Sequence, residues 1–449
     1  MAVNLSRNTK VYFSTAQTPA LATCQELQIL DGFSFSQSVD AATIQVSEAG
    51  SSPVRGQRSF NNKLNPVEWS FSTYVRPNKS TNVTAPEKLL WNALLGAQAI
   101  DATGVAFTAA STTAPSGAQT TYLATVTVAS HNFSIGEAIR VVGLTGGLTE
   151  LNGSWTVTAT TATTITFDLD TTVAPTAGTP VYTSAKVYRG QWYETTTSAV
   201  ASTVGSNVNQ LQDFYLFFVV DNTTYRLDKC AINQAELSFD LTGIATIAWS
   251  GMATTLTEVA ANTINPGTNA TAFSLSATSD TFITNKLSTI VLKSTVGGNG
   301  TGNKTYTVPI TGGSFTYSNN IEYVTPDTLS AVDSPIGYFT GTRSVSGSLT
   351  AYLKTGTNES STLLSDMLTA AATTIEPKYY LEVSVGGKTN TTRVELLMNG
   401  ISLQIPSVDV QDVISTTINF NAQGHFNSAT VGGFDLANAN DLLVSYYHA

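Results

Sequence analysis

The chain has 449 residues, a formal net charge of −10 and only 12% charged residues, a length that suits about two to four domains. Its 21 Lys and Arg are scattered, so no basic stripe is available to replace phosphate counterions, and a protein that grips nucleic acid is excluded. Thr, Ser, Ala and Gly stand where charges would be, which predicts strands with hydroxyl-rich solvated faces and an assembled or secreted β protein rather than a metabolic enzyme.

The opening "MAVNLSRNTKVYF" is polar and no apolar stretch precedes "LATC" (21–24), so no signal peptide is expected. "GFSFSQS" (32–38) alternates as a strand does, and an acidic stretch then leads into "SSPVRGQRSF" (51–60) on what reads as a long loop. "EWSFSTYVRP" (68–77) is a second strand, with Trp69, Phe71, Thr73 and Val75 on one face and Ser70, Ser72 and Tyr74 on the other. Thr84, Pro86 and Glu87 mark a helix start, and Leu89, Leu90, Ala93 and Leu94 give it an apolar stripe that would cover the sheet's apolar face.

Residues 122–170 are short strands with turn signals every eight to twelve residues, the spacing of a small sandwich or barrel. "TAASTTAPSGAQTT" (108–121) and "TTVAPTAGTP" (171–180) read as linkers flanking it. A Ser/Val/Asn-rich stretch returns the chain to "FYLFFVV" (214–220), the longest apolar run and far too short to span a bilayer. A cytoplasmic fold is therefore expected.

The second half repeats the first. Phe33 lies over Phe315 and Pro53 over Pro335 at an offset of 282; "VYFST" (11–15) lies over "VLKST" (291–295) at 280. Tyr74 falls on Tyr352 at 278, and "LLWNAL" (89–94) on "LLSDML" (363–368) at 274. Leu94 to Leu216 then spans 122 residues, whereas Leu368 to Leu381 spans 13, so the first copy carries about 109 more (122 − 13). After that gap, 215–251 matches 380–424. The expected organisation is a discontinuous first repeat (1–100 and 186–260), an inserted small β domain (101–185), a linker (261–286) and a second repeat (287–449).

Catalytic constellations are missing from the sequence. His131, His425 and His448 have no ligand partner at metal spacing, Cys24 and Cys230 form no CxxC, and "GGNGTGNKT" (297–305) lacks the GK[ST] ending of a phosphate loop. No cofactor and no metal are expected. A polysaccharide-degrading enzyme would want paired carboxylates and aromatic platforms, and no such motif is present. The charged residues that stand out belong to the two hairpins. Arg55 and Arg58 follow Glu48 and either bridge to a neighbouring subunit's acidic loop or stay solvated. Asp40, Glu48, Glu322, Asp327 and Asp333 either keep the hairpins soluble or line a channel. Arg343 is the second copy's lone counterpart to the arginine pair.

"NLSRNTKVYFST", "LDGFSFSQ", "SEAGSSPVRGQRSFN" and "PVEWSFSTYVRP" together resemble the bacteriophage tail tube proteins, best over 4–100 and then through the repeat over 212–255 and 287–427. The resemblance implies a mainly β fold: two tandem tail-tube-type sandwich or barrel repeats, each with a flanking helix and a long hairpin, plus the inserted β domain. In that family six units close a ring around the DNA path and the rings stack. Two units per chain imply trimeric, pseudo-hexameric rings, similar to those of some long-tailed phages. The implied partners are further copies of the chain, a tape-measure protein, tail-tip and terminator proteins, and transported DNA that is not specifically bound. The implied setting is the virion, with assembly in the host cytoplasm and no membrane insertion. The inserted domain would decorate the outer wall. A tail-fibre, receptor-binding or capsid-decoration protein is the alternative reading.

Overall fold

The computed structural model describes residues 8–30, 32–47, 55–76, 86–95, 98–99, 104–116, 121–131, 133, 138–169, 171, 173–189, 191–194, 211–260, 263–273, 283–294, 304–373, 379–387, 393–405, 408–409, 414–422 and 442–447. The first half contributes strands β1 (Thr9–Ser14), β2 (Ser34–Ser47) and β3 (Arg55–Tyr74), helix α1 (Lys88–Leu95), and, beyond the insert, β4 (Phe214–Val220), β5 (Thr223–Phe239), β6 (Thr246–Ala253) and β7 (Thr255–Val259). The second contributes β8 (Thr289–Ser294), β9 (Ile310–Ser318), β10 (Ser344–Tyr352), α2 (Ser360–Thr373), β11 (Tyr379–Val385), β12 (Arg393–Leu403), β13 (Ser415–Ala422) and β14 (Leu443–Tyr447).

The two halves pair their strands in the same way. β1 pairs with β4 and β4 with β5; β8 pairs with β11 and β11 with β12. The long β5 then crosses to β6, which pairs with β3, which pairs with β2; likewise β12 crosses to β13, then β10, then β9. Even the irregularities correspond, since the ladder slips between Phe214 and Leu216 in one half and between Tyr379 and Leu381 in the other. The halves are joined by β5 pairing with β9, from Gln234 opposite Ser318 to Phe239 opposite Gly313. One antiparallel sheet therefore runs β2–β3–β6–β5–β9–β10–β13–β12.

Alternation decides which side of this sheet is buried. Trp69, Phe71, Ile247, Trp249, Leu237, Phe315, Leu349 and Phe420 all point into a single core that both halves share with α1 and α2. An aromatic ring packs against a glycine on the neighbouring strand at corresponding places in each half. A Cβ on Gly251 would overlap the Trp69 indole, and one on Gly347 would overlap the Phe420 ring. The pair is reversed between halves: the aromatic is on β3 in the first and on β13 in the second.

The register corrects the sequence alignment. Ser34 sits opposite Ser70 and Ser314 opposite Ser348, so Phe35, not Phe33, corresponds to Phe315. Phe13 opposes Leu216 and Leu292 opposes Leu381, so Phe13 corresponds to Leu292 and not to Lys293. A one-residue slip would have turned that lysine into the core, and only the ladder resolves it.

Between Val105 and Arg189 six strands close a barrel with its own core, which includes Phe107, Val126, Ile139, Trp155, Ile165 and Val187. Residues 108–113, the first part of the stretch read from composition as a linker, belong to the barrel strand Val105–Thr113, whose buried anchor is Phe107. The stretch between the halves is also packed: Ile264 and Ala270 cover Tyr12, Cys24 and Phe217 on the outer face of the first half.

Candidate functional surface

The face of the large sheet opposite the core is exposed or half-buried and almost free of charge. One row across it reads Ser34, Ser70, Ser250, Gln234, Ser318, Ser344. Another reads Ser72, Ala248, Glu236, Thr316, Ser346, Asn421, and a third Tyr74, Thr246, Ser238, Ser314, Ser348, Asn419. Serine hydroxyls meet across the strands, Ser34 to Ser70 at 2.9 Å. The charges in these rows and in the neighbouring row through Glu68 are Glu68 and Glu236, both from the first half; no Lys or Arg stands in them. Two shallow depressions of about 270 Å³ each lie on this face, and Ser70 and Ser250 line both. Alternating strand residues thus turn the composition's hydroxyls into a smooth surface of weak donors and acceptors without fixed cations.

The sheet has two kinds of edge. At the internal joint the β5–β9 ladder is reinforced from the second half. Asn319 donates its amide to the carbonyls of Leu94 and Ile232, both at 3.1 Å. The Tyr323 hydroxyl donates to Lys229 O at 2.7 Å, and the Ile321 amide donates to Asn233 Oδ1 at 2.9 Å. The short hairpin Ile321–Val324 with Gly337–Thr340 thereby docks onto the first half, with Ile321 and Tyr323 packed on Ala231. At the outer ends of the sheet, among the described residues no further strand pairs with the outer edge of β2 or with that of Ser402–Leu403 in β12. Ile405, just past β12, is 51% exposed.

The charged residues singled out in the sequence fall on the hairpins as follows. Asp40 is exposed on β2, opposite Lys63. Lys63 Nζ reaches Asp327 Oδ1 at 3.3 Å in the second half's loop. Asp333 holds that loop in shape: its carboxylate accepts from the Thr328 amide (2.7 Å) and hydroxyl (2.6 Å), while its carbonyl accepts from the Leu64 amide at 2.8 Å. These Thr328 bonds lower the Asp333 pKa. So Asp327 and Asp333 come together with Asp40 around Lys63 and Leu64, and the acidic loop of one half rests on the hairpin of the other within one chain. Arg58 lies on β3, opposite Ile44 and exposed, in a strand rather than the expected loop; Arg55 is at the start of that strand, opposite Ser47. Glu322 is exposed opposite Phe339, and Arg343 is half-buried just before β10. Glu48 lies outside the described residues, as do His425 and His448. His131, in the barrel, accepts from the Phe133 amide through Nδ1 at 3.3 Å.

Sequence reasoning missed Lys63, Asn319 and Tyr323. Nothing in their neighbourhood marks them; their side-chain hydrogen-bond partners are 71 or more residues away in the chain. Among the described residues no group of three His, Cys, Asp or Glu could hold a metal ion, and no helix is long and apolar enough to cross a membrane.

Exposed large apolar side chains gather at two opposite rims of the sheet. Ile44, Phe60, Leu329, Val332 and Ile336 are on the hairpins that extend past one rim; Leu241, Ile244, Leu287, Tyr352 and Ile414 are at the turns of the other. Leu329 is 97% exposed. Such patches on a folded chain mark association surfaces.

No protein-family model matches the chain. It is similar to the tail tube protein pb6 of Escherichia phage T5, 27% identical over 432 residues that cover 94% of this chain and 73% of that protein. A likeness running through nearly the whole chain, on a β fold of this kind, supports a phage tail tube protein, a structural component of the tail tube.

Proposed function

We propose that three chains close a pseudo-hexameric ring, that the rings stack head to tail into a tube, and that the hydroxyl-lined face becomes the lumen through which DNA passes. The internal joint carries this reading. An edge of the β5 kind already accepts an edge of the β9 kind inside the chain, and among the described residues the sheet's two outer edges are of those same kinds. β12, continued by Val408–Asp409, is the counterpart of β5, and β2 is the counterpart of β9. Repeating the internal joint between chains buries both edges, and closure removes the open ladders that otherwise invite aggregation. A ring of six repeats is what the resemblance to tube proteins implies; three chains then supply it, and the internal repeat is a duplication of one tube unit.

The rims fit stacking. Apolar hairpins on one side and apolar turns on the other form a heterologous contact, which propagates as a filament. The lumen fits passage. Glu68 and Glu236 repel phosphates, and no Lys or Arg in the lining rows holds them. The role is structural and not enzymatic; the tube would sit in the virion, assembled in the host cytoplasm, with tape-measure and tail-tip proteins as its further partners and the barrel on the outer wall.

The test is a cysteine pair. By the internal register, Ser238 opposite Ser314 becomes position 409 opposite Ser34 of the next chain. Ser34→Cys with Asp409→Cys, oxidised after assembly, should give covalent trimers on a denaturing gel, from particles that show a central hole by electron microscopy. Compact particles without a hole, or rings that do not cross-link, would sink the proposal.

A further inference from the structure

The structure assigns a second task to strand β14: it is a latch that clamps the second half to the root of the barrel, across the outside of the internal joint. This inference concerns one chain and stands apart from ring formation.

Both halves have a seat for a strand on the outer stretch of their long crossing strand. In the first half β7 fills it, pairing with Thr224–Asp228 directly after β6 with Thr254 alone between them. In the second half the seat on Arg393–Leu397 is filled by β14, which follows β13 only after residues 423–442. The seat is therefore taken by a strand from elsewhere rather than by the next residues of the chain.

β14 uses both of its edges. One pairs with β12, Arg393 opposite Tyr447 to Leu397 opposite Leu443. The other pairs with Gln191–Glu194, from Gln191 opposite Tyr446 to Glu194 opposite Leu443. Gln191–Glu194 in turn pairs with Gln98–Ala99. Those two short segments are where the chain leaves for the barrel and where it returns, flanking Val105 and Arg189. The barrel's root is thus a two-stranded ribbon whose remaining edge is held by β14, and a short two-stranded ribbon alone is marginal in water.

The inward face of β14 ties the same spot to the first half. Val444 and Tyr446 are buried, and the Trp91 indole of α1 donates to the Tyr446 hydroxyl at 2.7 Å. Trp91 meets Trp249 edge-on at 5.0 Å. One strand thereby touches second-half sheet, barrel root and first-half helix. The second half has no counterpart insert after α2, so the arrangement cannot recur there.

The test is Ser445→Pro, which places a residue without an amide hydrogen between Trp192 and Glu395. Hydrogen exchange followed by mass spectrometry should show at least about tenfold faster exchange at 191–194 and 393–397. The inner ladder, Gln234–Phe239 with Gly313–Ser318, should be unchanged, and mild protease should release an intact barrel. Tyr446→Phe, which keeps the ring and removes only the hydroxyl, should loosen the same segments to a smaller degree in a chain that certainly retains its packing volume. A barrel root that stays protected in both variants would overturn the latch. So would an equal loss of protection in the inner ladder, which would make β14 a general stabiliser only.

Discussion

Helices α1 and α2 hold corresponding places in the two halves, yet their surroundings differ. α1 buries Leu90, Trp91, Ala93, Leu94 and Leu95, positions that cover a little over half of the helix circumference. α2 buries Ser360, Leu363, Asp366, Met367 and Ala370, a single stripe, and leaves Leu368 51% exposed. Leu90 and Leu94 are matched in the sequence by Leu364 and Leu368, yet the first two are buried and the second two are not, so residue type alone does not set the difference. The helices differ because α1 has the second half against it, with Asn319 on Leu94 O and Tyr446 on Trp91. In the proposed ring, the next chain would cover α2 as the second half covers α1.

The comparison can be broken most sharply at those helices. Leu94→Asp puts an unpaired carboxylate into the core and should abolish folding, read as loss of soluble protein and of the thermal transition. Leu368→Asp should leave the thermal midpoint of the isolated chain unchanged and yet abolish tubes under the electron microscope. If Leu368→Asp chains still assembled, α2's open face would not be a joint.

A second contrast is the reversed aromatic–glycine pair. Gly347→Ala drives a methyl into Phe420 and the Ser314 carbonyl and should cost about 1–3 kcal/mol by denaturant unfolding. Phe420→Leu on that background should recover part of the loss. Gly251→Ala should behave the same way in the first half, where Trp69 is the ring to be relieved. Equal tolerance of alanine at both glycines would show that the ring-on-glycine packing does not bind the sheet.

Glu87, at the foot of α1, gives a pH signature. Burial pushes its carboxyl up to about 8, although Arg76 and the Tyr446 hydroxyl pull it back. The folded state then holds a proton that the unfolded chain releases near pH 4.5, so the contribution of Glu87 to stability is full below that pH, falls as pH rises and levels off above about 8. Thermal midpoints between pH 5 and 8 should fall in the natural chain, and Glu87→Gln should flatten that slope. The smallest effect belongs to Lys63→Ala. Its bond to Asp327 is exposed, so the midpoint should hardly move, the Leu64–Asp333 backbone bond keeping the loop seated.

Much of the architecture can be read without coordinates. The alternation at 68–75 identified which side of β3 is buried, and Trp69, Phe71, Thr73 and Val75 are buried as expected. The helix over Leu89–Leu94 is present, although Trp91, outside the expected stripe, is also buried because a second partner covers it. The offsets between copies could be followed only to within one or two residues, since bulges shift a ladder without leaving any mark in composition. The candidate surface was half legible. Its hydroxyls and missing cations showed in composition, whereas Lys63, Asn319 and Tyr323 act on residues far off in the chain.

Local pattern is what the sequence by itself determined: strands of period two, one clear helix, a run of short strands in the insert and an acidic, hydroxyl-rich composition. These depend on the order of neighbouring residues, because the side-chain direction along a strand or helix is set by the backbone. Tertiary structure alone decided which edges meet. The β5–β9 joint, the seat taken by β14 and the cover over α1 pair backbone groups, whose donors and acceptors are the same at every residue and carry no sequence signature.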